Sequence, residues 1–274
     1  MTRPAPEQRT WTDDPSEPEV ELPRGDVTEG VVRVGATVRR PHTPASYAIA
    51  RFLDHLEDVG VPESTRYLGR DGRGRDVLSY LVGDVAGDPP EPWSGDDGLL
   101  ASVARLVRRL HDAAAGFDED HAVFPGDGTV CHFDVTPQNV VVRHGTAVGL
   151  VDFDLARRGD GAMDAYNTAM HWVPLRDPVD VHPAWGTVDQ VGRLRLFADA
   201  YGWDRAFRES LVDRGIEHAD LVWHRMRERA ERDGGGWARM WVEGVGDQIR
   251  RRERWLRAER VRLTETLVDG YEPG

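Results

Sequence analysis

The hydrophobic patterning of this chain shifts along its length from strands toward helices. Between Val27 and Val82 short β-branched runs broken by glycine and proline flank one helical stretch; from Leu99 on the apolar residues recur mostly at helical spacing. A small β-rich part, then a mixed centre, then helices predict an α+β fold in two lobes. At 274 residues, one large domain or two moderate ones can bury a core without disulfide or metal staples.

Residues 1–22 mix prolines and acids without any period and read as a disordered tail. The runs VVRVG and TVRRP read as two strands joined by a glycine turn. Pro44 to Gly60 reads as a helix with Tyr47, Ile49, Phe52, Leu53 and Leu56 on its apolar side and Gly60 as its C-cap. A hairpin follows over 64–84, with Asp-Gly-Arg-Gly as its turn. The Pro/Gly/Asp-rich stretch 87–98 is the expected lobe boundary. Leu99, Leu100, Val103, Leu106, Val107 and Leu110 then mark the clearest helix. Two β-branched runs, 140–142 and 148–151, flank a His-Gly turn, and the chain beyond Asp164 is helical in pattern.

Composition removes several chemistries. The net charge of −13 makes capture of a nucleic-acid backbone an unsuitable task. Cys131 is the one cysteine, so neither an intrachain disulfide nor a cysteine-based zinc site can form. With no lysine in the sequence, Schiff-base chemistry, Ser–Lys dyads and the Walker A loop are excluded. No apolar run is long enough for a membrane span, and the N-terminus lacks the apolar core of a secretory signal, so a cytoplasmic protein is expected.

The chemistry concentrates in residues 130–154. His132-x-Asp134 is followed by Asn139, three valines, a turn, and Asp152-Phe153-Asp154. A loop aspartate can accept a hydroxyl proton, while an asparagine carbonyl and a second aspartate bind a hard cation such as Mg²⁺; together these serve phosphoryl transfer. A metal hydrolase using His132, Asp134, Asp152 and Asp154 is the competing reading, without the paired-histidine spacing such sites commonly show. Cys131 beside this loop is most simply a small buried residue.

HFDVTPQNVVV followed by LVDFDLA resembles the catalytic loop and metal-binding segment of the aminoglycoside phosphotransferase and choline kinase-like enzymes, which share the protein-kinase fold. The order of elements is similar from about Gly25 to Asp164. The resemblance implies a two-lobed fold: a nucleotide-binding N-lobe of small antiparallel sheet over 23–88, and a mostly helical C-lobe over 89–274 that carries the catalytic loop and acceptor site. It implies Asp134 as catalytic base, His132 as the loop's scaffold, Asn139 and Asp152 as Mg²⁺ ligands, and ATP or GTP as phosphoryl donor.

The same resemblance places a phosphate-contacting basic residue in TVRRP. Strand alternation sends Arg39 and Arg40 to opposite faces. Arg39, sharing its face with Thr37, is the expected clamp, close to Asp152. Gly25 would belong to the phosphate-covering loop, where Asp26 is a departure from the pattern, and the backbone of Tyr80 to Val82 would hold the base. The helix over 45–59 has no glutamate in its first two turns to pair with the clamp; Asp54 and Glu57 come later.

From Tyr201 to Gly274 there are 15 acidic and 15 basic residues, so no acidic wall awaits a polycationic aminoglycoside there. Trp237, Trp241 and Trp255 fit helix packing better than an aromatic wall for a sugar. The expected partners are a nucleoside triphosphate and a small hydroxyl acceptor (antibiotic, sugar or amino-alcohol), with neither nucleic acid nor membrane. A kinase-fold binding or immunity protein with little turnover is the alternative.

Overall fold

The computed structural model describes residues 4–14, 16–22, 30–61, 63–87, 90–117 and 122–271. The chain forms two compact units. One comprises Met1–Val85, Arg109–Val135 and Asn139–Gly161; the other comprises Ala86–Arg108, Thr136–Gln138 and Ala162–Gly274.

The first unit holds the strands β1 (Glu19–Glu21), β2 (Val32–Val34), β3 (Thr37–Arg40), β4 (Tyr67–Arg70) and β5 (Asp76–Ser79), and the helix α1 (Ser46–Asp58) between β3 and β4. They form one antiparallel sheet in the order β1-β2-β3-β5-β4. Both predicted hairpins are present, and α1 buries Ile49, Phe52, Leu53 and Leu56 as its spacing requires. Gly60 takes a left-handed φ of 80° just after α1, a conformation that a side chain would oppose.

The helix α2 (Asp97–Ala114) buries all six apolar residues of its predicted stripe. Asp96 accepts a hydrogen bond from the Leu99 amide at 2.9 Å and supplies its N-terminal cap. Then come β6 (Thr129–Cys131), β7 (Val140–Arg143), β8 (Thr146–Leu150) and β9 (Arg157–Gly159). β6 pairs with β9 and β7 with β8. His144 and Gly145, with φ of 51° and 72°, make the β7–β8 turn; positive φ at both central residues matches the strand twist.

The second unit is built mainly from α3 (Gly161–Trp172), α4 (Gln190–Tyr201), α5 (Arg205–Arg232), α6 (Gly235–Val242) and α7 (Val245–Val268). The helices α5 and α7 pack along one another. Trp172 and Trp203 are core residues, whereas Trp237, Trp241 and Trp255 are half-buried.

Two expectations are corrected. The described residues between 4 and 22 are not a tail without structure. β1 adds a strand to the sheet, Trp11 N–H donates to Arg70 O at 2.7 Å, and Arg70 N–H donates to Arg9 O at 3.1 Å. An acid-rich extended segment finds backbone partners on a sheet and arginines for its carboxylates: Glu19 meets Arg73 and Arg75 at 3.0 and 2.8 Å. The units also cut the chain differently from a boundary near residue 88. The β7–β8 hairpin belongs with residues 1–85, tied by mutual backbone bonds between Asp84 and Val142 and by Leu150 N–H to Glu63 O at 2.7 Å. Gly83 permits this approach, since a Cβ there would lie 2.5 Å from Val141 Cγ1 and 2.7 Å from Val142 O.

Candidate active site

His132, Asp134, Asn139 and Asp152 all lie in the first unit, and a chain of hydrogen bonds brings them together. His132 is fully buried. Its Nδ1 accepts from Asp134 N–H at 3.2 Å and its Nε2 lies 3.0 Å from Val151 O. Accepting at Nδ1 places the ring proton on Nε2, which therefore donates to Val151 O. Val151 N–H donates to Asn139 O at 3.0 Å. Asn139 Nδ2 then donates to Asp134 O at 2.9 Å and to Asp134 Oδ2 at 2.8 Å. One backbone residue between the valine strand and Asp152 thus ties together the histidine and the asparagine. Both ring nitrogens of His132 are thus engaged inside the fold, which does not suit the metal-hydrolase reading.

Backbone strain is concentrated beside these groups. Phe133 and Asp152 have φ of 60° and 61°, and such values for non-glycine residues persist only where the surroundings enforce them. Phe133 is held under the Arg157 guanidinium at 3.6 Å, and a Cβ at Gly159 would strike its Cζ at 2.5 Å. Phe153 turns inward against His132 at 4.5 Å and against Phe52 of α1 at 6.1 Å, so the residue between the two aspartates anchors them from the core.

The donor set suits a hard cation. Both hydrogen bonds given by the Asn139 amide nitrogen go to Asp134, which leaves Oδ1 as its acceptor atom, and the Asp152 side chain is 38% exposed. An amide oxygen and a carboxylate are the hard ligands that Mg²⁺ accepts alongside water and phosphate oxygens.

The arginine pair is reversed from the sequence expectation. Arg40, not Arg39, lies at Asp152: its Nη1 is 3.4 Å from Asp152 Oδ1, and its Nη2 donates to Asp154 Oδ2. Arg39 is 1% exposed on the other face, bonded to Thr37 Oγ1 at 2.6 Å and to Asp13 Oδ1 at 2.5 and 3.1 Å, with Trp11 and Asp71 beside it. Alternation placed Thr37 and Arg39 together correctly. What reverses the assignment is the N-terminal segment, which covers that face and neutralises Arg39. Asp71 has its pKa pushed up by burial, but hydrogen bonds from the Arg75 amide and guanidinium outweigh this and hold it below the usual range, charged opposite Arg39.

The later carboxylates of α1 have other partners: Asp54 pairs with Arg9, and Glu57 lies 3.4 Å from Arg66. Among the described residues the ion pairs of Arg40 are with Asp152 and Asp154, so Asp154, which the sequence reading left without a part in phosphoryl transfer, is its counter-charge. Tyr80 N–H donates to Ala36 O at 2.9 Å, while Val82 is 68% exposed and, among the described residues, Leu81 and Val82 donate to no backbone carbonyl. Gly25 and Asp26 lie outside the described residues.

The sequence profile of the phosphotransferase enzyme family (APH) matches residues 114–229. The trifolitoxin immunity protein of Rhizobium leguminosarum bv. trifolii is 31% identical over 205 residues, 69% of this chain and 76% of that protein. A choline/ethanolamine kinase family protein from Mesorhizobium loti superposes with a TM-score of 0.56 at 15% identity, over 89% of this chain and 93% of that one. A gentamicin complex of APH(2″)-IIa gives a TM-score of 0.53 at 14% identity, over 86% and 92%. The small antiparallel sheet and the many helices are those of the kinase-like phosphotransferase structures. Among the described residues, no helix is long and apolar enough to cross a membrane.

Proposed function

The chain belongs to the phosphotransferase enzyme family, and from that premise we propose that it moves the γ-phosphoryl group of ATP or GTP, with Mg²⁺, to a hydroxyl of a small molecule such as an antibiotic, a sugar or an amino-alcohol. The observation that carries this reading is the bond from Asn139 Nδ2 to Asp134 Oδ2 at 2.8 Å, which holds a loop carboxylate in one orientation beside an amide oxygen suited to a cation.

In this reading Asp134 accepts the proton of the acceptor hydroxyl, a contribution worth about 10²–10⁴ in rate. Asn139 Oδ1 and the Asp152 carboxylate would hold Mg²⁺, which supplies charge neutralisation on the phosphate oxygens when bound. Arg40 replaces Arg39 as the phosphate clamp. Its Nη1 contact with Asp152 is long at 3.4 Å, so that arm can turn to phosphate oxygens while Nη2 keeps Asp154 as its counter-charge. His132 fixes the loop, and the backbone of Tyr80 to Val82 holds the base.

The test is nucleotide affinity with and without Mg²⁺ in the wild type and in Asp152→Ala, followed by an acceptor screen for release of the nucleoside diphosphate. Mg²⁺ should strengthen wild-type binding and do so much less in the variant; an unchanged Mg²⁺ dependence would make Asp152 structural. The second reading, a binding or immunity protein with little turnover, is favoured by the 31% identity to a trifolitoxin immunity protein. Mg²⁺-dependent nucleotide binding with no diphosphate released for any acceptor would select it.

A further inference from the structure

The helical unit contains a group of buried polar side chains that the phosphotransfer reading does not use. Arg252 of α7 is 9% exposed, and among the described residues neither its Nε nor its Nη2 meets a hydrogen-bond acceptor. The Tyr166 hydroxyl of α3, 1% exposed, and Arg176 Nε, just beyond α3, are also buried without a partner. The nearby carboxylate, Asp180, is already held by both arms of Arg251, at 2.6 and 2.8 Å. Two guanidiniums are therefore gathered, and among the described residues no carboxylate pairs with Arg252.

Such an arrangement is expensive unless something fills it. Arginine cannot shed its proton, and an uncompensated buried charge is among the most unfavourable features a fold can hold. Burial, and then their mutual repulsion, lower the proton affinity of Arg176 and Arg252's own falls by burial. Burial also pushes the Tyr166 pKa up, so its hydroxyl stays a donor. His171 beside them is driven down to about 3 by burial and then by the two arginines, so it is neutral and adds no charge. The interior of α5 is shaped around this group: a Cβ at Gly215 would lie 2.5 Å from the Tyr166 oxygen. Glycine inside a helix is unfavourable relative to alanine, and here it leaves room for the hydroxyl.

We propose that Arg252, Tyr166 and Arg176 form a binding site for the oxyanion group of a small molecule, a carboxylate or a phosphate, which offers two adjacent acceptor oxygens to the Nε–Nη2 edge of Arg252. That edge presents two parallel N–H donors, the geometry that grips such a group bidentately. Tyr166 O–H and Arg176 Nε–H supply further donors. The site needs no nucleotide and does not rest on the phosphotransfer reading.

Calorimetric titration of the full-length protein with malonate and with inorganic phosphate, at constant ionic strength, tests it. Saturable binding to one site is expected for at least one anion; the tighter one assigns the group as carboxylate or phosphate. Arg252→Met should weaken it about tenfold or more, the equivalent of one charge-assisted contact. Tyr166→Phe and Arg176→Met should each weaken it by a smaller factor, and they carry the test if Arg252→Met does not fold. Asp134→Asn should leave anion affinity unchanged. No saturable binding of either anion, or wild-type affinity in the Arg252, Tyr166 and Arg176 variants that fold, would overturn the proposal.

Discussion

On the outer face of the sheet, Arg39 is 1% exposed and is met by Asp13, Asp71 and Thr37; in the helical unit, Arg252 is 9% exposed, and its Nε and Nη2 meet no acceptor among the described residues. Both are arginines removed from water, and each sits in its own compact unit. The first has its counter-charges delivered by the chain itself, Asp13 from 26 residues upstream and Asp71 from the β4–β5 turn, as suits a structural role. The second has none among the described residues, which is the condition under which an external anion is stabilising. Burial of a charge alone therefore does not separate a structural arginine from a binding one; the location of its acceptors does.

Acid titration should expose the unpaired region first and with the largest effect. The pKa of His171 lies at about 3 in the folded protein and at 6.5 ordinarily. Above about pH 6.5 neither the folded nor the unfolded chain carries this proton. Between 6.5 and 3 the unfolded chain binds it and the folded chain does not, so stability falls as pH falls through that window, with a slope approaching about 1.4 kcal/mol per pH unit from this residue. Denaturant midpoints across the range should show a shallower acid slope in His171→Gln than in the wild type; equal slopes would mean that His171 can charge in place.

Arg39→Ala comes next. It should lower unfolding free energy by about 1.5–3 kcal/mol, the value of hydrogen bonds to charged groups, because Asp13 is exposed enough to be rehydrated. Nucleotide affinity should stay within about twofold, since its cluster lies on the face opposite Asp152. Arg40→Ala inverts the pattern: nucleotide affinity falls about tenfold, near 1.4 kcal/mol, with a smaller change in unfolding midpoint. If both variants lose affinity alike, the two faces of β3 are not separate in function.

The sequence carried the local order well. The stripe of α2, the apolar face of α1, both sheet hairpins and the His-Gly turn follow from spacing and turn chemistry, and the spacing of Asp134, Asn139 and Asp152 marked the candidate site. What was not legible depends on partners distant in the chain. Alternation separates Arg39 from Arg40, but only the packing of Trp11 and Asp13 decides which face is covered. The segment carrying those residues has no hydrophobic period, and its order comes from backbone pairing and ion pairs. Tyr166 and Arg252 sit on different helices with nothing in either pattern to pair them; Gly215 inside a helical stretch was the single hint.

The central claim is that Asp134 acts on the acceptor and not on the nucleotide. Phosphoryl transfer to a hydroxyl acceptor by Asp134→Asn, at saturating Mg²⁺ and nucleotide, measures this directly. The account predicts a fall in kcat of about 10²–10⁴ with nucleotide affinity retained. Transfer within about tenfold of wild type, the size of a single lost hydrogen-bond contact, would contradict it.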